Sequence, residues 1–237
     1  MSIFSYHLVK TTYLKALRIL LFSPSSKSIS GLIHIECMSF MTLGSKVFSP
    51  SRFFSRKIIV IAQWENESDL LHFLENHQLG KTLIKGWHTR LKFIRQWGRF
   101  KGFEIPKVDV ELNNPNTPVV ALTIARMKLF QVPRFIHWGR PVERLVRDHP
   151  GTTLALASIK LPRTVSTFSV WKSQKEMTDM VHGHSNIHQP KRHANAMKER
   201  SRKNFHYEFT TLRFISLSEH GEWDDRKNII PSLINNQ

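Results

Sequence analysis

The residues best suited to bind a metal ion are histidines clustered late in the chain. His182, His184, His188 and His193 fall within 12 positions, in the segment HGHSNIHQPKRH. Imidazole nitrogens bind zinc, copper and haem iron, but spacings of two, four and five residues fit no standard zinc pattern. His193 begins the helical pattern HANAMKER, and a helix can hold a ligand rigidly. His193 is therefore the best candidate metal ligand and His188 and His184 are weaker ones, with a plain solvated loop as the alternative.

A second pattern with chemical meaning is the basic and aromatic stretch at residues 81–101. It contains seven Lys and Arg residues, four aromatic residues and no acidic residue. Basic side chains contact phosphates and aromatic rings stack on bases, so single-stranded nucleic acid is a candidate partner. A half-buried strand whose polar face lies in solvent gives the same alternation, and we favour that interpretation.

Amino-acid composition narrows the classes of protein to which the chain can belong. The 237 residues include 35 Lys and Arg against 18 Asp and Glu, a formal charge of +17, and 41% are hydrophobic. This apolar fraction is too high for a disordered polycation, so we expect a folded protein with an acidic partner. Cys37 is the single cysteine and lies in an apolar stretch, which favours a buried, inert thiol. The chain has no nucleophile elbow, phosphate-binding loop or dinucleotide fingerprint.

Hydrophobic periodicity predicts the elements that must position these residues. Strands are predicted near 4–11, 31–43, 57–64, 87–97, 119–125, 154–161, 163–171 and 207–217, and helices near 12–23, after Asn66 with an extension at 81–86, at 129–138, 141–149, 174–183 and 191–203. The same order, strand-helix-strand-strand-helix-strand, thus occurs twice. In both copies a Trp ends the third strand, Trp64 and Trp171, and a helix follows within a few residues.

This internal repeat predicts an α+β fold made of two tandem ferredoxin-like halves. Each β-α-β-β-α-β unit leaves one sheet face to cover, so two units can pack sheet against sheet as one closed barrel of the dimeric α/β-barrel type. We expect a cavity between the sheets. The predicted boundaries are a first half at 1–107, a Pro- and Asn-rich linker at 108–117, a second half at 118–223 and a polar tail at 224–237.

The chain resembles the spheroidene monooxygenase family of carotenoid-modifying proteins, most clearly in its second half. The matching segments are Val165–Trp171, Glu176–Val181, the run HANAMK from His193, Asn204–His206, Glu208–Phe214 and Ser218–Trp223, with looser matches at Pro118–Thr123 and at Trp64. The resemblance covers roughly 6–223. The segment before His193 departs from the family because His182, His184 and His188 lengthen it.

The resemblance implies a haem-containing oxygenase of the dimeric α/β-barrel superfamily. Such a protein would insert oxygen from O₂ into an acyclic carotenoid, with electrons from reduced ferredoxin. His193 would be the candidate axial ligand of the haem. Arg126 or Arg213 would pair with the haem propionates or polarise bound oxygen, although solvent exposure is the alternative for Arg213.

Two other functions stay open at this point. One is a non-catalytic or cofactor-free α/β-barrel protein that binds a small apolar molecule, and the other is a basic nucleic-acid-binding protein. Under the haem interpretation, the acidic partners would be a ferredoxin-like electron donor and an anionic membrane surface. Residues 13–22 are apolar but too short to span a bilayer, and Lys15 and Arg18 interrupt them. We therefore expect a cytoplasmic protein, with peripheral membrane contact as an option.

Overall fold

The computed structural model describes residues 2–44, 56–103, 105 and 114–231. The strands are β1 (Ile3–Lys10), β2 (Leu32–Met41), β3 (Lys57–Trp64), β4 (Trp87–Arg99), β5 (Val119–Met127), β6 (Thr152–Lys160), β7 (Thr164–Trp171) and β8 (His206–His220). The helices are α1 (Tyr13–Leu21), α2 (Glu67–Asn76), α3 (Gln78–Leu83), α4 (Val132–Arg147), α5 (Gln174–His182) and α6 (Arg192–Arg202).

The eight strands form one closed antiparallel barrel in the order β1-β3-β2-β6-β7-β5-β8-β4. Each half contributes four neighbouring strands in the equivalent order, β4-β1-β3-β2 in the first half and β8-β5-β7-β6 in the second. The halves meet where β2 pairs with β6 and where β4 pairs with β8. This arrangement confirms the predicted α+β fold of two ferredoxin-like units in one barrel.

Local capping explains where several helices begin. The side chains of Thr12, Asn66 and Ser173 accept hydrogen bonds from backbone N–H groups at the starts of α1, α2 and α5, as such residues commonly do. The predicted extension at 81–86 is instead a separate short helix, α3, which begins after His77.

The two helical segments expected at 129–138 and 141–149 are one continuous helix, α4, so the predicted break at residues 139–140 is wrong. Pro141 lies inside this helix. Proline removes one helical hydrogen bond, but packing of an amphipathic helix against the rest of the protein can offset that loss.

Some predicted boundaries fall outside the described residues. Positions 108–113 of the linker and 232–237 of the polar tail are among them. The division into two halves and a linker at 108–117 stays a prediction.

The centre of the barrel is filled by aromatic side chains. Tyr6 on β1 stacks on Phe168 on β7, with ring centroids 3.7 Å apart. These strands lie on opposite sides of the barrel, so the pair spans the interior, and both side chains are almost completely buried. The expectation of a cavity between the two sheets is therefore wrong at this level, because large rings from both sheets meet there.

Both ends of the barrel are also covered. At one end Phe100 and Phe103 are buried, and Phe103 lies 6.0 Å from Phe4 between ring centroids. At the other end Glu219 accepts hydrogen bonds from the indole N–H of Trp87 and from the backbone N–H groups of Ile229 and Ile230. These bonds hold residues after β8 across the opening.

The outer face of the first half is sealed by its helices. Ile58, Val60 and Trp64 on β3 are completely buried in a cluster that includes residues of α1 and α2. Cys37 also belongs to this cluster, and burial raises the pKa of its thiol to about 11. A thiol with that pKa stays protonated and unreactive at neutral pH, in agreement with the sequence analysis.

Among the helices that the structure describes, none is both long enough and apolar enough to cross a lipid bilayer.

We expect Phe168→Ala to lower the free energy of unfolding by about 3–5 kcal/mol, because it removes a buried ring that spans the barrel. Urea denaturation monitored by circular dichroism measures this change. The control is Leu217→Ala at an exposed leucine of β8, for which we expect a change within about 0.5 kcal/mol. Equal effects of the two substitutions would contradict a packed interior.

Candidate functional site

The outer face of the second half differs from that of the first. Its sheet is covered by α4, α5 and α6, yet the outward side chains of Ala121, Thr123, Thr167 and Thr211 are only partly buried. Alternate residues of a strand point to opposite faces, and the inward neighbours of these residues, such as Leu122, are completely buried. The helices therefore cover this face unevenly, because Val119, Met127 and Trp171 on the same face are almost completely buried. We call it, together with α4, α5 and α6, the outer layer.

The helices of the outer layer also keep apolar surface partly exposed. Phe135, Trp138, Val142 and Val146 of α4 are half-buried, and Leu145 is the helix's one buried residue. Helix α6 packs mainly on α4 and α5. Phe135 and Trp138 pack against the buried Met127 and Phe205, so this apolar surface is partly in contact with the sheet and partly exposed.

An ion-pair cluster ties α6 to α4. The Glu199 carboxylate on α6 accepts hydrogen bonds from Arg134 of α4, at 2.7 Å from Nε, and from Arg202 of α6, at 2.9 Å from Nε. Hydrogen bonds from Arg202 and Arg134 lower the pKa of Glu199 to about 2. These contacts fix the position of α6, which contains His193 in its first turn.

His193 lies in the outer layer with one ring nitrogen engaged. Its Nδ1 is 3.0 Å from the carbonyl oxygen of Val181 on α5. A carbonyl oxygen only accepts, so the neutral ring carries its proton on Nδ1 and an unshared electron pair on Nε2. Burial lowers the pKa of His193, which favours this neutral form. Metal-binding histidines commonly use such a bond to fix the ring.

His184 and His188 do not join His193. Both are exposed in the loop between α5 and α6, and the rings of His182 and His184 are 5.9 Å apart. The described part of the chain contains no group of three or more His, Cys, Asp or Glu residues placed to hold a metal ion. Metal binding by His193, His188 or His184 stays a prediction.

His206 is a second imidazole of the outer layer, one that the sequence analysis had noted only as part of a motif. It is 3% exposed, and neither ring nitrogen has a hydrogen-bond partner among the described residues. Its ring lies 5.8 Å from that of Phe135 and 5.1 Å from that of Phe209. Burial, with smaller contributions from the charges of Arg200 and Lys128, lowers the pKa of His206 to about 4. It is therefore a neutral, unpartnered imidazole at pH 7.

The two candidate arginines lie on opposite faces of the sheet. The outward Arg213 donates from Nη1 to Oε1 of Gln174 at 3.3 Å, and its guanidinium lies 4.9 Å from the ring centroid of Trp97. Arg126 lies at one end of the barrel on the inner face and donates to Glu208 at 2.7 Å. Of the two, only Arg213 shares a face with His193 and His206.

A surface groove of about 420 Å³ lies at the same end of the barrel as Arg126. Its lining includes Phe100, Phe103 and Glu208, the carboxylate partner of Arg126. The groove is therefore separated by the sheet from the outer layer.

Three further histidines form a row across neighbouring strands. His88 on β4 pairs with His7 on β1 and with His220 on β8, and the rings are stacked at 5.2 Å and 4.9 Å. Burial and the charge of His88 lower the pKa of His7. Register between strands that are distant in the chain brings the three residues together, so no local sequence pattern indicates this row.

The basic stretch at 81–101 proves to be the half-buried strand β4 with its flanks. Trp87, Phe93 and Phe100 are buried in the barrel interior, where they cannot stack on bases. Trp97 is 40% exposed, but Arg95 and Arg213 lie close to its ring.

No family model and no curated protein matches this chain. Among solved structures, an aldoxime dehydratase in complex with butyraldoxime matches with 9% identity over 91% of this chain and 79% of its own, at a TM-score of 0.50. At that identity the likeness shows the fold alone.

Two other solved structures come from Listeria monocytogenes. One is a ferredoxin-fold protein related to antibiotic biosynthesis monooxygenases, with 12% identity over 94% of this chain and 97% of its own, at a TM-score of 0.31. The other is a heme-degrading enzyme, with 10% identity over 87% of this chain and 97% of its own, at a TM-score of 0.28. The neighbours thus include proteins of the monooxygenase-related ferredoxin fold and a heme-degrading enzyme.

We expect the protein to lose stability as the pH falls from about 6.5 to about 4, partly because of His206. The unfolded chain binds a proton on this histidine at higher pH than the folded chain does, so acid favours unfolding across that window. Replacing the ring, in His206→Leu, should raise Tm at neutral pH by several degrees and reduce its fall in acid.

Melting curves across this pH range test the expectation. The control is His184→Leu, which changes an exposed histidine in the loop between α5 and α6. This variant should keep the pH profile of the unmodified protein. Matching profiles for His206→Leu and the unmodified protein would rule out the buried, neutral state of His206.

Proposed function

We propose that this protein is a haem-dependent monooxygenase that inserts oxygen from O₂ into an apolar, carotenoid-like substrate, with the haem held in the outer layer. The observation that carries the proposal is the presence of two neutral imidazoles, His193 and His206, in a layer whose apolar side chains are only partly buried. The resemblance to the spheroidene monooxygenase family supports the same assignment.

The residues present fit a haem. Haem iron takes a histidine nitrogen as an axial ligand, and His193 offers Nε2 while Val181 holds Nδ1. His206 is a buried polar group without a hydrogen-bond partner among the described residues, an arrangement that costs free energy unless a ligand satisfies it. The half-buried Phe135 and Trp138 match an apolar macrocycle.

Each group would have a distinct part in the reaction. Haem supplies the activation of O₂. His193 would offer the electron pair of Nε2 to the haem iron, from a ring that the Val181 carbonyl orients. Arg213 lies on the outer face of β8 and offers a cation for a haem propionate. The apolar residues of α4 exclude water and contact an apolar substrate. Each oxygen insertion consumes one O₂, two electrons and two protons, and it releases one water.

The electrons must come from another protein, and we propose an acidic one such as a reduced ferredoxin. The chain has a formal charge of +17. Opposite charge on a redox partner speeds encounter between the two proteins.

The runner-up function is binding of a small apolar molecule without a cofactor. The half-buried apolar residues of the outer layer favour it as much as they favour haem, but it leaves the unpartnered nitrogens of His206 unexplained. Nucleic-acid binding remains third, because most aromatic rings of the basic stretch lie in the barrel interior.

Titration of the purified protein with haem tests the cofactor. We expect a saturable Soret band at about one haem per chain, which His193→Ala removes and His184→Ala leaves unchanged. His206→Ala should shift the band without removing it. The absence of any haem uptake would overturn the proposal, whereas loss of the band only in His206→Ala would move the axial ligand to that residue.

A turnover experiment tests the reaction. The haem-loaded protein receives an acyclic carotenoid, reduced ferredoxin and ¹⁸O₂, and mass spectrometry follows the product. We expect ¹⁸O in the carotenoid, and no labelled product with His193→Ala. Stable haem binding with no label in any acyclic carotenoid would favour a non-catalytic binding protein.

A further inference from the structure

Helix α1 carries a second apolar face, which is largely exposed. Ala16 and Ile19 are buried against the barrel. On the opposite side Leu14 is 82% exposed, Leu17 54% and Leu21 65%. A surface helix ordinarily has polar residues on its outer side, so three leucines at spacings of three and four residues form an exposed apolar stripe about 10 Å long.

Aromatic residues extend the stripe at both ends. Tyr13 precedes Leu14 and is 59% exposed, and Phe22 follows Leu21 and is 76% exposed. The guanidinium of Arg56 lies 5.6 Å from the ring centroid of Tyr13. Contiguous exposed apolar surface of this kind indicates an interaction site.

The charged residues that flank the stripe in the sequence are all positive. Lys15 and Arg18 are exposed on the same helix, and Lys10 and Lys27 are exposed on either side of it. Glu36 is the first acidic residue of the chain. A partner must therefore combine an apolar region with negative charge.

We propose that α1 docks the protein on an anionic lipid bilayer. Leu14, Leu17 and Leu21 would enter the boundary between headgroups and acyl chains, while Lys15 and Arg18 would contact lipid phosphates. Helices that combine an apolar face with flanking Lys and Arg bind membranes in this way. A second copy of the chain fits less well, because it would bring Lys15 and Arg18 against like charges on a protein of charge +17.

The docking surface is independent of the haem proposal. α1 covers the first half of the barrel, and the outer layer belongs to the second half. Docking would nevertheless place the protein where an apolar substrate dissolves. Vesicle binding by the haem-free protein tests the docking surface alone.

Flotation with vesicles supplies the test. We expect binding to phosphatidylserine–phosphatidylcholine vesicles, little binding to phosphatidylcholine alone, and weakening by salt. The double variant Leu14→Ser, Leu17→Ser should lower the partition coefficient at least tenfold. The double variant Lys15→Gln, Arg18→Gln should lower it by about fivefold for each charge removed.

Matched controls separate this surface from general charge and hydrophobicity. Leu161→Ser with Leu217→Ser changes two exposed leucines elsewhere, and Lys81→Gln with Lys85→Gln removes two exposed charges elsewhere. Both controls should keep most of the binding. Thermal melting establishes that each variant is folded.

Two results would overturn the proposal. One is a folded Leu14→Ser, Leu17→Ser variant that binds anionic vesicles as well as the unmodified protein. The other is a dimer, detected by sedimentation velocity, that the same variant splits while the unmodified protein shows no vesicle binding. The second result would assign the stripe to self-association.

Discussion

The stack of Tyr6 on Phe168 constrains the rest of the molecule. It joins opposite sides of the barrel at a centroid distance of 3.7 Å, so the sheets support each other through their inner faces. A packed interior gives the barrel rigidity, but it leaves no room for a large ligand at that level. A site for a large ligand at that level would therefore have to lie outside the barrel, between the sheet and its helices.

The two outer faces differ because their residues differ in size. In the first half, Ile58, Val60 and Trp64 fill the space beneath α1 and α2. In the second half, the outward positions include the smaller Ala121, Thr123 and Thr167, which are only partly buried. The two halves of the barrel are thus covered to different extents by their helices.

The outer layer and the protein surface also differ in charge. Burial lowers the pKa of His193 and of His206, so two imidazoles of the outer layer stay neutral and able to donate electron pairs near pH 7. Positive charge is carried instead by exposed Lys and Arg, including Lys15 and Arg18 beside the apolar stripe of α1. Neutral imidazoles in the outer layer are compatible with an apolar ligand there. Exposed Lys and Arg are compatible with an acidic partner at the surface.

The sequence by itself determined the order of the strands, the internal repeat and the closed barrel, but it divided α4 into two segments and joined α3 to α2. These depend on local periodicity and on patterns such as Trp64 and Trp171 at equivalent strand ends, which a single chain displays directly. It also indicated His193, because a helix start is a local feature.

Only the tertiary structure decided which residues share a face. It packed Tyr6 against Phe168 where a cavity was expected, and it separated Arg126 from Arg213. It also left the ring nitrogens of His206 without a hydrogen-bond partner among the described residues. Burial and register depend on residues that are far apart in the chain. Whether facing side chains fill the interior depends on their combined volume, which no local pattern in the sequence shows.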